Sequence, residues 1–286
     1  MLARAIGNKT VAWIRKTASE RHYTGLSALA TYIDRKHEQT RLKKIGYKPT
    51  LSTLAASYLE QIYASGICVV ENFWSDAKCK QAREDIDRII ENHPEYLHPT
   101  AQADKRIYGA NNISAQIDEF NKDPLLAEVA SAYNQELTKA AFTLGAYLPF
   151  THGNLGSGEG WHRDAPTRQF KAILYLSDVE LDNGPFQLIR HSHTLDNVIA
   201  DTWTGKLSYP QFRITQQEVD RLIAKDPERL DTYTAKAGTV ILADVSSIHR
   251  GMPIRSGSRY ALTNYYFPVD RIDKGLYEKF KVAPLK

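Results

Sequence analysis

Apolar positions recur at helical spacing through the first half of the chain and at strand spacing through the second. Two amphipathic helical pieces are expected around Val11–Ser19 and Ser27–Glu38, parted by Tyr23-Thr24-Gly25, with Leu29, Tyr32 and Ile33 as a short apolar stripe. The segment Thr50–Ser65 reads as a stronger helix: Leu54, Tyr58, Leu59, Ile62 and Tyr63 share one face, Ser52 supplies a cap and Gly66 ends it. Ile67–Val70 has the continuous apolar pattern of a short buried strand. Ser75 then caps a helix reaching about Glu91, with Cys79, Ala82, Ile86 and Ile89 or Ile90 inward and Asn92-His93-Pro94 stopping it. Residues 96–123 show little periodicity and are expected to form a long polar loop, a kind of segment that is often functional. Pro124–Phe142 is expected to be helical, on the stripe Leu125, Leu126, Val129, Tyr133 and Leu137.

Beyond Leu144 the period changes to two. Strands are expected at Ala146–Leu148, Phe170–Leu176, Phe186–Ile189, Thr239–Ala243 and Tyr260–Phe267, separated by turn signals at Gly153–Gly160, Asp182-Asn183-Gly184-Pro185, Ala237-Gly238 and Ser256-Gly257-Ser258. Helices first and short strands later predict an α+β chain with a mainly β core, a sandwich or jelly roll buttressed by N-terminal helices. Residues 194–234 interrupt the strands with Trp203, Pro210 and a helix opened by the capping box Thr215-x-x-Glu218, an insertion placed to cover the mouth of a barrel. Residues 1–49 then form a helical extension and 50–286 the main domain.

Composition changes this picture little, but charge adds to it. The chain has 286 residues, 42% hydrophobic and 24% charged, ordinary globular values. Two cysteines, Cys68 and Cys79, are too few for a disulfide framework and make no zinc pattern, so a reduced, cytoplasmic protein is expected. The net charge of +4 is uneven: residues 1–50 hold eleven Lys/Arg against three acids, which leaves the remainder acidic. Such a segment can meet an anionic membrane surface or an acidic carrier, or simply be a solvated helix face. No basic strand face interleaved with aromatics is evident, so nucleic acid is not an expected partner.

The candidate chemistry begins at Gly160-Trp-His-Arg-Asp164. In an extended chain His162 and Asp164 point to one side, with Cα atoms about 6–7 Å apart, and can converge on one ion while Arg163 points away. A lone His-x-Asp is commonplace. Here it is followed by Val240–Ala243 leading to His249 and, ten residues on, by Arg259 at the start of another strand. Two histidines and a carboxylate with open positions are the ligand set of non-haem Fe(II) oxygenases. The second His-x-carboxylate, His93-Pro94-Glu95, lies at a helix stop and reads as structural.

These residues, with Asp182-Asn183-Gly184-Pro185-Phe186, Arg190-His191-Ser192-His193, Ala237-Gly238-Thr239 and the opening Gly66–Phe73, together resemble the phytanoyl-CoA dioxygenase-like (PhyH) branch of Fe(II)/2-oxoglutarate oxygenases over roughly residues 50–270. The resemblance implies a double-stranded β-helix of jelly-roll, cupin-like type, with Fe(II) held by His162, Asp164 and His249. It implies 2-oxoglutarate and O2 as cosubstrates, Arg259 on the distal carboxylate, and Tyr175 where relatives often carry an aromatic. Gly251 replaces a hydroxyl that some relatives use to hold the cosubstrate, so Thr143, Tyr147 or Tyr108 is expected to substitute. Asp164 stands where iron halogenases of this type have Gly or Ala, which argues for hydroxylation or a related oxidation. Tyr108, Asn111, Asn112, Arg168, Arg190 and Trp203 are candidate substrate contacts. Their arginines and amides suit a small polar or anionic metabolite, a carrier- or lipid-linked sugar included. An inactive jelly-roll binding protein and a non-oxidative cupin-like metalloenzyme are the alternatives.

Overall fold

In the computed structural model, residues 8–99 and 104–284 are described. The first residues of the basic segment and four of the 96–123 segment lie outside them. The described elements are α1 (Asn8–Arg21), α2 (Thr24–Ile45), α3 (Thr53–Ser65), β1 (Ile67–Val70), α4 (Asp76–Asn92), β2 (Lys105–Tyr108), α5 (Ala115–Asn121), α6 (Pro124–Asn134), β3 (Thr138–Pro149), β4 (Phe170–Tyr175), β5 (Phe186–Ile189), α7 (Leu195–Gly205), α8 (Gln216–Ile223), β6 (Leu230–Tyr233), β7 (Val240–Asp244), β8 (His249–Gly251), β9 (Ser258–Pro268) and α9 (Lys274–Phe280). Six strands pair in the order β1-β7-β4-β9-β3-β2 and three more as β6-β5-β8, every pairing antiparallel.

Period-two alternation divides each strand of the larger sheet between two environments. Phe170, Ala172 and Leu174 of β4, Val240 and Leu242 of β7, and Leu262 and Tyr266 of β9 pack in one core with Leu59 and Ile62 of α3, Ile86 of α4, Phe120 of α5 and Val129 of α6. The neighbours of opposite parity, Tyr175, Ile241 and Ala243, pack with Phe186 and Leu188 of the smaller sheet. Both faces of the larger sheet are therefore covered. That explains why β4 and β7 read as nearly unbroken apolar runs.

The N-terminal helices do not form a loose arm. Val11, Ile14 and Ala18 of α1 and Ala30 and Ile33 of α2 make their own small core. Beyond it, Arg41 forms two hydrogen bonds with Glu136, at 2.6 and 2.8 Å, and Arg35 is buried. Arg15 pairs with Asp34, whereas Lys9, Lys16, Arg21, Lys43, Lys44 and Lys48 stay exposed. Part of the basic charge is thus turned inward.

Three expectations are corrected. The helix expected to run from Pro124 to Phe142 ends at Asn134, because Gln135 takes a left-handed φ of 56° and the Ser131 hydroxyl captures the Thr138 amide at 3.1 Å, starting β3. Leu137, counted in the apolar stripe, is exposed. The 96–123 segment is not a plain loop: it contains β2, fixed by pairing with β3, and α5, capped by Ser114. The insertion ends before residue 234, since Leu230–Tyr233 pairs with β5 as an edge strand of the smaller sheet. The capping box Thr215/Glu218 is present and opens α8.

Candidate metal and 2-oxoglutarate site

The two sheets meet around His162. Its backbone N–H and C=O both bond to His249, each at 2.9 Å, so the histidine at the start of β8 lies directly beside the one in the β3–β4 connection. Their ring centroids are 4.2 Å apart. The Asp164 N–H bonds to Val245 O, past the end of β7, which turns its carboxylate toward the same place. One donor atom from each of His162, Asp164 and His249 lies within 4.8 Å of the others. The Ser192 hydroxyl braces this junction, donating to Ile189 O and accepting from Ile248 N, one residue before His249.

Each imidazole is fixed by its second nitrogen. His162 Nδ1 is 2.8 Å from Gly160 O and His249 Nδ1 is 3.0 Å from Ser247 O. A carbonyl only accepts, so Nδ1 carries the proton and Nε2 keeps its lone pair for a metal. Burial lowers both histidine pKa values, that of His249 to about 3, so both rings are neutral at neutral pH. Burial alone would raise the Asp164 pKa, but the adjacent Lys171 ammonium outweighs it and holds the carboxyl well below its usual range. Lys171 hydrogen-bonds the carboxylate directly. Gly158, at φ +85°, lies so close to the His162 ring that a Cβ would come within 2.1 Å of it.

These groups open onto a cavity of about 350 Å³. Arg259 forms part of its wall, buried, with no partner for its Nε. Beside it, the Tyr175 hydroxyl accepts the Phe186 amide proton at 2.8 Å and donates to Tyr233 O at 3.1 Å. A Cβ at Gly251 would stand 3.0 Å from Arg259 Nη2, so glycine there leaves the guanidinium room. Among the described residues, the cavity walls carry four cations, Arg106, Lys171, Arg213 and Arg259, and one carboxylate, Asp164.

Of the candidates for holding cosubstrate or substrate, Arg259, Tyr175 and Tyr108 line this cavity and the others do not. Parity explains Thr143 and Tyr147. On β3 the even positions Leu144, Ala146 and Leu148 line the cavity, and the odd ones face away. Thr143 hydrogen-bonds Asn264 at 2.6 Å, and the Tyr147 ring packs tilted against that of Tyr260. Asn111 and Asn112 hold backbone, accepting from Thr143 N at 2.8 Å and donating to Ala283 O at 2.7 Å. Arg168 donates to Tyr133 O and lies over its ring, and Arg190 pairs with Asp231 at 3.2 Å. Trp203 is exposed and lies against Gly25 of α2. Arg163 points away from the cavity, as alternation requires, with Nη1 on two backbone carbonyls.

Lys171, Arg106, Tyr265 and Arg213 went unread. Lys171 was visible as the lone charge in the apolar run Phe170–Leu176. Tyr265 shares its parity with Arg259 through Ala261 and Thr263 on β9. Arg106 stands two residues from Tyr108, and β2 places both opposite cavity-lining positions of β3. Arg213, from the insertion, bridges to His162 along the backbone and holds Gly158 O and Glu159 at the mouth.

A jelly roll with an open His-Asp-His cluster and a buried arginine on the same cavity defines the class of cupin-like mononuclear metal proteins. The chain belongs to the phytanoyl-CoA dioxygenase (PhyH) family, whose sequence pattern matches residues 62–261. Among solved structures, it is similar to EctD from S. alaskensis with 2-oxoglutarate and 5-hydroxyectoine (17% identity, 77% of each chain, TM-score 0.57). The epimerase SnoN in complex with Fe3+, alpha ketoglutarate and nogalamycin RO gives 11% identity over 75% of this chain and 84% of that one, with a TM-score of 0.56. HygX from Streptomyces hygroscopicus with nickel and 2-oxoglutarate gives 16% over 77% and 88%, with a TM-score of 0.52. At these identities the likeness concerns the fold. No protein of curated function matches the chain in sequence. Among the described residues no helix is long and apolar enough to cross a membrane.

Proposed function

We propose that the protein is an Fe(II)- and 2-oxoglutarate-dependent oxygenase that oxidises an unactivated C–H bond of a small polar or anionic metabolite. The observation that carries this reading is the pairing of the His162–Asp164–His249 cluster with the buried guanidinium of Arg259, whose Nε has no partner, on one cavity wall. A buried arginine without a counter-anion is costly, and a carboxylate is its natural bidentate partner. Bound there, iron with 2-oxoglutarate and O2 supplies the oxidising power.

The chain's own residues do the rest. His162 and His249 present neutral Nε2 atoms, and Lys171 holds the orientation of Asp164. Arg259 receives the distal carboxylate of 2-oxoglutarate, with Tyr175 fixed beside it. The carboxylate at position 164 fills the place that a halide would need, so hydroxylation, or a related oxidation such as desaturation or ring closure, is the outcome, not halogenation. Arg213, half-exposed at the mouth, is the best-placed cation for an anionic group on the substrate. Residues 1–49 act as an extension to the oxygenase domain, and their remaining exposed lysines form the surface that would approach an acidic carrier or anionic membrane.

The test is succinate release from 2-oxoglutarate by the Fe(II)-loaded protein against a library of carboxylated and phosphorylated metabolites, read with mass spectrometry. Turnover with a product heavier by one oxygen atom supports the reading. A metabolite converted without succinate would point to a non-oxidative metalloenzyme, and ligand binding with no conversion to a binding protein.

A further inference from the structure

The metal-bearing segment has a second side. Between His162 and Asp164, Arg163 turns its guanidinium away from the oxidation cavity and is only 8% exposed. Its Nη1 donates to Ser192 O, at 2.7 Å, and to Ser246 O, while Nη2 has no partner. Arg35 approaches from α2, 6% exposed, and donates from Nη2 to Ser246 Oγ at 3.2 Å; its Nε has no partner. Two buried guanidinium groups therefore meet at Ser246, each with a donor unspent.

Both line a small space of about 40 Å³ that shares no wall residue with the oxidation cavity. A single water needs about 10–15 Å³ of such space, so there is room for a small polyatomic ligand. Three of the wall's hydroxyls are already committed as donors. The Thr31 and Thr202 hydroxyls donate to Ser27 O and Val198 O, and that of Tyr209 donates to Asp34. One carboxylate, Asp34, is itself on the wall and is engaged by Arg15 and Tyr209; of the others near it, Asp201 takes two parallel bonds from Arg229 at 2.8 and 3.0 Å, and Asp244 is held by Tyr133 and the Ser246 amide. Glu38, one turn beyond Arg35, accepts the Arg168 amide at 3.1 Å. Neither Arg35 nor Arg163 makes an ion pair within 4 Å with a described residue. Water could accept these hydrogen bonds, but it would leave two like charges buried together, whereas an anion satisfies both the donors and the charge.

We propose that this space binds a small oxyanion of phosphate or carboxylate type, clamped between Arg35 and Arg163, which fastens helix α2 to the back of the segment that carries His162 and Asp164. The site takes the basic N-terminal helices from a surface feature to a structural tie. Because the ligand binds the folded state, it raises stability in proportion to its saturation.

Titration calorimetry on the metal-free full chain at constant ionic strength tests this, with inorganic phosphate, sulfate and formate as separate probes. The expected result is saturable binding of at least one probe, preserved in Arg259→Gln and weakened about tenfold or more in Arg35→Gln. Which probe binds separates a phosphate-type from a carboxylate-type ligand. No binding of any probe by the wild-type chain, or binding abolished by Arg259→Gln and kept in Arg35→Gln, would overturn the proposal. Should Arg35→Gln fail to fold by circular dichroism, crystals of the wild-type chain soaked in selenate decide the matter. An anomalous peak between Arg35 Nε and Arg163 Nη2 supports the site, and a map without one there rejects it.

Discussion

On β4, Phe170, Ala172 and Leu174 enter a hydrophobic layer beneath the helices, while their neighbours Lys171, Ile173 and Tyr175 line the cavity. The two sets are interleaved in sequence yet live in different media. The helix side is closed mainly by apolar contacts, and its polar groups, such as Tyr133 on Asp244 and Asn264 on Phe120 O, are paired. The cavity side keeps charge and unspent donors: Lys171 on Asp164, Arg259 with a free Nε, and two histidines whose Nε2 atoms await a partner. Buried polar groups are nearly always satisfied, so a wall that leaves them open is built around something else. Alternation lets one sheet bear the core with half its residues and a reactive site with the other half.

Breaking the cavity side should cost function before stability. Asp164→Ala removes the carboxylate donor, and turnover by the iron-loaded enzyme should fall more than about a hundredfold, since even outer partners of metal ligands are worth 10–100-fold. Retained full turnover would remove Asp164 from the site. The helix side should behave the opposite way. Leu174→Ala, at a fully buried position, should cost about 2–5 kcal/mol in denaturant unfolding, with metal binding by the folded protein unchanged. If instead metal affinity collapsed while stability held, the division between the two faces would be wrong. The mildest change is Tyr147→Phe, on the outward parity of β3. It should alter neither the 2-oxoglutarate requirement nor stability by more than about 0.5 kcal/mol; a raised requirement would bring that side chain back to the cosubstrate.

The same alternation explains what could be read from the chain. His162 and Asp164 at i and i+2, with His249 and Arg259 on later strands, are far apart in sequence but each carries its chemistry in its side chain, so the cluster was legible. Tyr147 and Thr143 were misplaced because a hydroxyl near the right strand is not enough: β3 runs for twelve residues, and its inward parity is that of Leu144, Ala146 and Leu148. Strand β2 was illegible for a different reason. Four residues carry too little period to announce a strand, and only pairing with β3 gives Arg106 and Tyr108 their direction. The stop of α6 depended on Gln135 adopting a left-handed conformation, which no glycine signalled. The arginine pair behind the metal segment was half visible, since Arg163 was expected to point away. Its meeting with Arg35 depends on the packing of α2.

The most direct measurement needs no knowledge of the substrate: calorimetric binding of 2-oxoglutarate to the anaerobic Fe(II)-loaded protein and to its Arg259→Ala variant. The site described here predicts binding that requires the metal and weakens about 10–100-fold in the variant, the loss expected for charge-assisted hydrogen bonds to a carboxylate. Equal affinity in the two proteins, or equal affinity with and without metal, would contradict it.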